Sequence, residues 1–168
     1  MPLRLDDFYR DADAPGLPHA HGIVDWDDPA TWDGDAAVAA LRSLLRDGHA
    51  EVPTYSIAES RRTGSRTLDL QGRPLIIAEG IFALDLLPLA LAAGLPVTPL
   101  YLDRDRTLVA ALRLRRDLAQ HRKPPAVLLR RGWALWRAQP AQRERAVAAG
   151  FAPTSMRAAT RTLAGGAG

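Results

Sequence analysis

The stretch 74–80, Pro-Leu-Ile-Ile-Ala-Glu-Gly, constrains this chain most. An unbroken apolar run stopped by Glu79 and Gly80 suits a strand buried on both faces, and such strands belong to parallel sheets covered by helices. A shorter run at 3–5 stops in the same way, at Asp6 and Asp7. Further strands are expected at 52–56, 66–70 and 97–102, with Gln71 and Gly72 turning the chain between two of them. A helix is expected over 36–46, capped by Asp33 or Asp35, with Val38, Leu41, Leu44 and Leu45 on one face and Gly48 closing it. Residues 10–33 read as a long ordered loop and 81–93 as a helix. Beyond 104 the pattern is helical, over about 104–121, 125–137 and 140–149. Strands alternating with helices predict an α/β fold with a parallel sheet, where ligands gather at the carboxyl ends of the strands. Asp6 and Glu79 both sit at such ends.

Composition narrows the function. The 168 residues are 47% hydrophobic, enough to fill the core of one domain, so wholesale disorder is excluded. There is no cysteine, which rules out disulfides and thiolate metal sites. The amino-terminal segment is too acidic and too poor in apolar residues for a signal peptide. The apolar stretch 81–102 is broken by Asp85, Pro88, Gly94, Pro96 and Pro99, so it reads as helix, turn and strand rather than a membrane span. A soluble, cytoplasmic protein without membrane contact is expected. Charge is uneven: residues 1–36 hold nine Asp against Arg4 and Arg10, and residues 101–168 hold thirteen Arg and Lys123 against four acids. A basic end can meet nucleic acid, but the acidic start and the lack of a recognition motif disfavour that reading.

Five segments belong together: LDDFYR at 5–10, DWDDPATWD at 25–33, VPTYSIAESRR at 52–62, IIAEGIFAL at 76–84 and LRLRRDLAQHRKPP at 112–125. In this order they resemble the uridine kinase family of P-loop phosphotransferases, over roughly residues 3–137. The resemblance implies ATP-dependent phosphorylation of a nucleoside, or a similar small alcohol, with magnesium. It implies Asp6 as the general base and Asp6 with Glu79 on the magnesium side. Asp27 would grip the sugar hydroxyls, with Tyr9, Trp26 and Tyr55 around the substrate. Arg113 and Arg116 would form the lid over the transferred group, and Arg122 and Lys123 would extend it toward ATP. Asp7, by contrast, is expected to be solvated. A single domain over 1–162 follows, with a helical lid around 104–137 and a flexible tail at 163–168.

The same family carries a strand, a GxxxxGK[ST] loop and a helix ahead of the first of these segments; the only lysine here is Lys123, followed by Pro124. The expected fold is therefore P-loop NTPase-like with its first strand and phosphate loop missing, leaving an unpaired apolar sheet edge. Either Met1 is an internal start, or the chain is a shortened paralogue that binds a nucleoside or anion without holding ATP productively. Little or no kinase activity is expected of these residues alone. The family's pyrimidine-reading histidine has no counterpart: Ser60 stands in its place. The alternative is a non-catalytic nucleoside- or anion-binding module.

Overall fold

The structure is a computed structural model that describes residues 1–20, 22–119 and 125–165. The chain forms two compact units, Met1–Val97 and Thr98–Gly165.

The first unit begins with strand β1 (Pro2–Arg4) and a 3₁₀ turn at Leu5–Phe8. A small antiparallel pair follows, β2 (His19–Ala20) with β3 (Ile23–Val24). A second 3₁₀ turn, Pro29–Thr31, leads into helix α1 (Gly34–Asp47). Next come β4 (His49–Ser56), β5 (Arg61–Asp69), β6 (Ile77–Glu79) and helix α2 (Ala83–Ala92).

Helix α1 shows how locally the sequence acts. The Asp33 carboxylate accepts the Ala36 N–H at 3.0 Å, which satisfies one of the orphan donors of the first turn. Ala37, Val38, Leu41 and Leu44 recur on one buried face. Leu45, expected on that face, is instead 49% exposed, because the stripe that meets the core is narrower than four positions per turn pair. Gly48 ends the helix at φ +77°, a left-handed conformation open to glycine, and its N–H returns to the Leu44 carbonyl.

Beneath α1 lie Leu3, Leu5, Phe8, Trp32, Val52, Phe82 and Leu86, all buried in one cluster with the helix's apolar face. Full burial of each large side chain among them contributes about 1.5–3 kcal/mol. Trp32 stacks on Phe82 with ring centroids 5.3 Å apart, and its indole N–H donates to the Leu5 carbonyl at 3.0 Å.

The parallel expectation holds in part. β1 and β6 pair in parallel, with Leu3 opposite Ala78 and Arg4 opposite Glu79. The longest pairing, however, is antiparallel: β4 and β5 form a hairpin from His49–Asp69 to Ser56–Arg61. Only residues 57–60 join these strands, and a parallel crossover needs a dozen or more. One continuous sheet flanked by helices is thus replaced, among the described residues, by separate two-stranded pieces. Within these, β6 pairs only with β1, and Ile77 is 40% exposed.

The second unit pairs β7 (Leu100–Leu102) with β8 (Ala152–Thr154) in parallel. Between them run helices α3 (Arg106–Ala119) and α4 (Pro125–Ala148), and α5 (Met156–Gly165) follows. The two helices expected over 125–137 and 140–149 are one: α4 continues through Pro140, which removes a single N–H donor without ending the helix. Leu163, expected to begin a frayed tail, lies inside α5, while residues 166–168 are outside those described. No helix among the described residues is long and apolar enough to cross a membrane.

Candidate functional site

Where β1 ends, the chain tightens into the Leu5–Phe8 turn, and this turn separates two neighbouring carboxylates. Asp7 is buried, and its carboxylate takes the Arg66 guanidinium from β5 at 3.0 Å. The expectation of a solvated Asp7 fails because the 3₁₀ turn replaces strand alternation and swings the residue inward.

Asp6 is half-buried, and its Oδ1 has no hydrogen-bond partner although it is shielded from solvent. Burial pushes this carboxyl above its ordinary value; the nearby Arg4 charge pulls it down, and Asp7 adds to the rise. The Asp6 side chain lies against Gly80, directly after β6. A Cβ built on Gly80 would come within 3.2 Å of the Asp6 Oδ1 and 2.8 Å of the Leu5 Cβ, and Gly80 holds φ +153°. Only glycine lets the two strand ends approach this closely. Glu79, one residue earlier, is exposed and stands in register with Arg4. The carboxylates at 6 and 79 therefore belong to adjacent strand ends, as their places in the sequence imply.

Three of the expected substrate residues meet in one aromatic cluster. The Tyr9 ring lies 5.4 Å from those of Trp26, Tyr55 and Phe82, centroid to centroid, and Trp26 is 6.4 Å from Tyr55. The Tyr9 hydroxyl donates to the Trp26 carbonyl at 3.0 Å, and the Tyr55 hydroxyl to the Arg10 carbonyl at 3.3 Å. Burial pushes the Tyr55 phenol up to about 12; Asp11 adds to the rise and Arg62 opposes it. Asp27, one residue after Trp26, is exposed on the loop. Its neighbours are structural: Asp28 caps the Pro29–Thr31 turn through the Ala30 N–H at 2.8 Å, and Asp25 accepts the Asp27 N–H at 3.3 Å.

Arg62 binds this region together and escapes the sequence reading. Its Nε donates to the Tyr9 carbonyl at 3.2 Å, its Nη2 meets Asp33 at 3.1 Å, and its N–H reaches the Asp11 carboxylate at 2.6 Å. A register shift between Thr54 and Tyr55 brings Arg62 opposite Tyr55. No local signal marks such a residue, because its partners lie 29 to 53 positions away.

Arg113 and Arg116 fall on α3, in the second unit, whereas Asp6, Tyr9, Trp26, Asp27, Tyr55 and Glu79 belong to the first. Arg122 and Lys123 lie outside the described residues. No group of three or more His, Asp or Glu able to hold a metal occurs among the described residues. Two shallow clefts of about 370 Å³ open on the first unit, and neither is lined by Asp6, Asp27 or Glu79.

No family model matches this sequence. Uridine kinase of Staphylococcus aureus is 34% identical over 94 residues, in strains JH9 and Newman alike, which is 56% of this chain and 44% of the relative. A segment of the Arabidopsis thaliana protein described as inorganic pyrophosphatase TTM2 is 42% identical over 64 residues, 37% of this chain and 10% of that protein. The chain spans less than half the length of these curated relatives. Over the matched stretch it is a distant, kinase-like relative of uridine kinase.

Proposed function

We propose that the first unit is the acceptor side of a kinase-like phosphotransferase, which presents the hydroxyl of a nucleoside or similar small alcohol for phosphorylation. The observation that carries this reading is the Asp6 carboxylate, half-buried beside Gly80 with an oxygen that no described residue satisfies. A buried acceptor without a donor costs free energy, and a ligand hydroxyl supplies the missing hydrogen bond. In the reaction Asp6 takes the proton of that hydroxyl as the hydroxyl oxygen attacks the donor's terminal phosphorus, and the bond from that phosphorus to the donor's bridging oxygen breaks, releasing the rest of the donor. Burial favours this role, since a carboxyl raised above its ordinary value is a stronger base. Such assistance is worth about 10²–10⁴-fold.

Asp27 accepts hydrogen bonds from a pair of sugar hydroxyls, a task suited to an exposed carboxylate with two oxygens. Tyr9, Trp26 and Tyr55 offer ring faces to a flat base. The two tyrosine hydroxyls are turned to backbone carbonyls, so recognition rests on stacking. The Asp6 carboxylate and the exposed Glu79 are the residues that would hold magnesium, which is content with one or two carboxylates and several waters. Bound there, magnesium would supply charge neutralisation for phosphate oxygens. ATP fits less well: these residues contain no GxxxxGK[ST] loop to cradle its phosphates.

The test is calorimetric titration of the full chain with a panel of nucleosides, with and without ATP, alongside a phosphorylation assay. Nucleoside binding weakened about tenfold to a hundredfold by Asp27→Ala supports the reading, since a hydrogen bond to a charged group is worth about 1.5–3 kcal/mol. Absence of binding by every nucleoside overturns it. Binding without turnover agrees with the little or no activity expected of these residues alone, and phosphorylation of the bound nucleoside overturns that expectation.

A further inference from the structure

The outer side of β1 carries a feature that the acceptor site does not use. Pro2 and Arg4 point away from the buried Leu3, and with residues of β5 and the following turn they line one of the two clefts. Three arginines, Arg4, Arg66 and Arg73, are part of its lining. Asp69 is the one acid in the lining, and its Oδ1 accepts the Gln71 N–H at 2.8 Å. Arg66 spends one N–H on Asp7, and Arg73 one on the Gln71 side-chain oxygen at 3.3 Å. Each guanidinium has five N–H donors, so donors remain on both. Arg4 has no hydrogen bond or ion pair to another described side chain, and Glu79, its register neighbour, is not part of the lining.

We propose that this cleft is a second anion site, distinct from the acceptor site, and that it takes a compact polyphosphate. The chemistry selects the ligand. Guanidinium forks match phosphate oxygens two at a time, and Thr67 and Gln71 add neutral hydrogen-bonding groups beside them. A volume of about 370 Å³ is at the small-molecule end of ligand sites and is short for an extended peptide. The phosphates can come from free polyphosphate or from the arm of a nucleotide. Arg4 lies two residues before Asp6, so an anion seated here also offsets the positive charge that acts on that carboxylate.

The experiment is calorimetric titration of the full chain with sodium tripolyphosphate in low-salt, metal-free buffer, with AMP and ATP as separate arms. The Arg4→Gln/Arg73→Gln double variant is compared with Arg42→Gln, which alters the other cleft. Both mutated positions of the double variant are exposed, so the fold is kept. Expected are binding of tripolyphosphate, a loss of about tenfold or more in the double variant with no loss in Arg42→Gln, and weakening as salt is added. Tighter binding of ATP than of tripolyphosphate, with AMP weak, assigns the site to a nucleotide arm; the reverse assigns it to free polyphosphate. Absence of tripolyphosphate binding overturns the proposal, as does equal loss in both variants. Preferential binding of an oligo-aspartate peptide overturns it too. None of these readouts depends on the acceptor site, which nucleoside titration tests separately.

Discussion

Asp6 is held where a carboxylate is uncomfortable. Its folded titration lies above the ordinary 3.8, chiefly through burial, so the folded chain keeps that proton to higher pH than the unfolded chain does. Between those two values the folded state binds more protons, and stability falls as pH rises; above both, the full penalty is present. Asp6→Asn removes that slope. Its unfolding free energy at neutral pH is expected to rise by about 0.5–1 kcal/mol, solvent screening keeping the gain modest for a half-exposed group. The gain should vanish near pH 3, and urea melts at both pH values measure it. Equal stability of variant and parent at neutral pH would show that the carboxylate is not strained. That Asp6 ends a strand is legible in the sequence. That Asp7 turns inward to Arg66 is not, because one residue of 3₁₀ twist decides it and the partner is 59 positions away.

Helix α1 is the element most fully written in its own residues. Its Asp33 cap, apolar stripe and Gly48 stop each act within a turn of chain: the stop and all of the stripe but Leu45 are legible from spacing, and the cap is one of the two aspartates that spacing offers. Asp33 also meets Arg62, so Asp33→Ala removes a cap and an ion pair together. The pair is partly exposed and contributes little, whereas the cap is worth about 1 kcal/mol. The expected loss is therefore about 1 kcal/mol in thermal or urea unfolding, with the helical circular dichroism signal retained at 25 °C. The strands were less legible. The short segments 52–56 and 66–70 fit a parallel strand as well as a hairpin arm. The four residues between Ser56 and Arg61 decide for the hairpin. The aromatic cluster is likewise partly readable: Tyr9, Trp26 and Tyr55 carry the family likeness, but Phe82 joins them only through the fold.

At the scale of the whole molecule, the main core draws every member from Leu3 to Leu86 and so lies inside Met1–Val97. This division is not legible in the sequence, because helical periodicity beyond 104 says nothing about which core a helix joins. A fragment ending at Val97 is expected to unfold in one cooperative thermal transition followed by circular dichroism. A gradual, non-cooperative loss of signal would show that the first unit needs the second. The charge gradient follows the same division, with the acidic start in the first unit and most of the arginines in the second.

The bond from the Trp32 indole to the Leu5 carbonyl reaches the peptide unit that carries Asp6. Any ligand that shifts this peptide must lengthen or tilt that bond, and a buried indole changes its emission when its partner moves. The protein thus contains its own fluorophore, wired to the backbone of the residue on which the proposed chemistry turns.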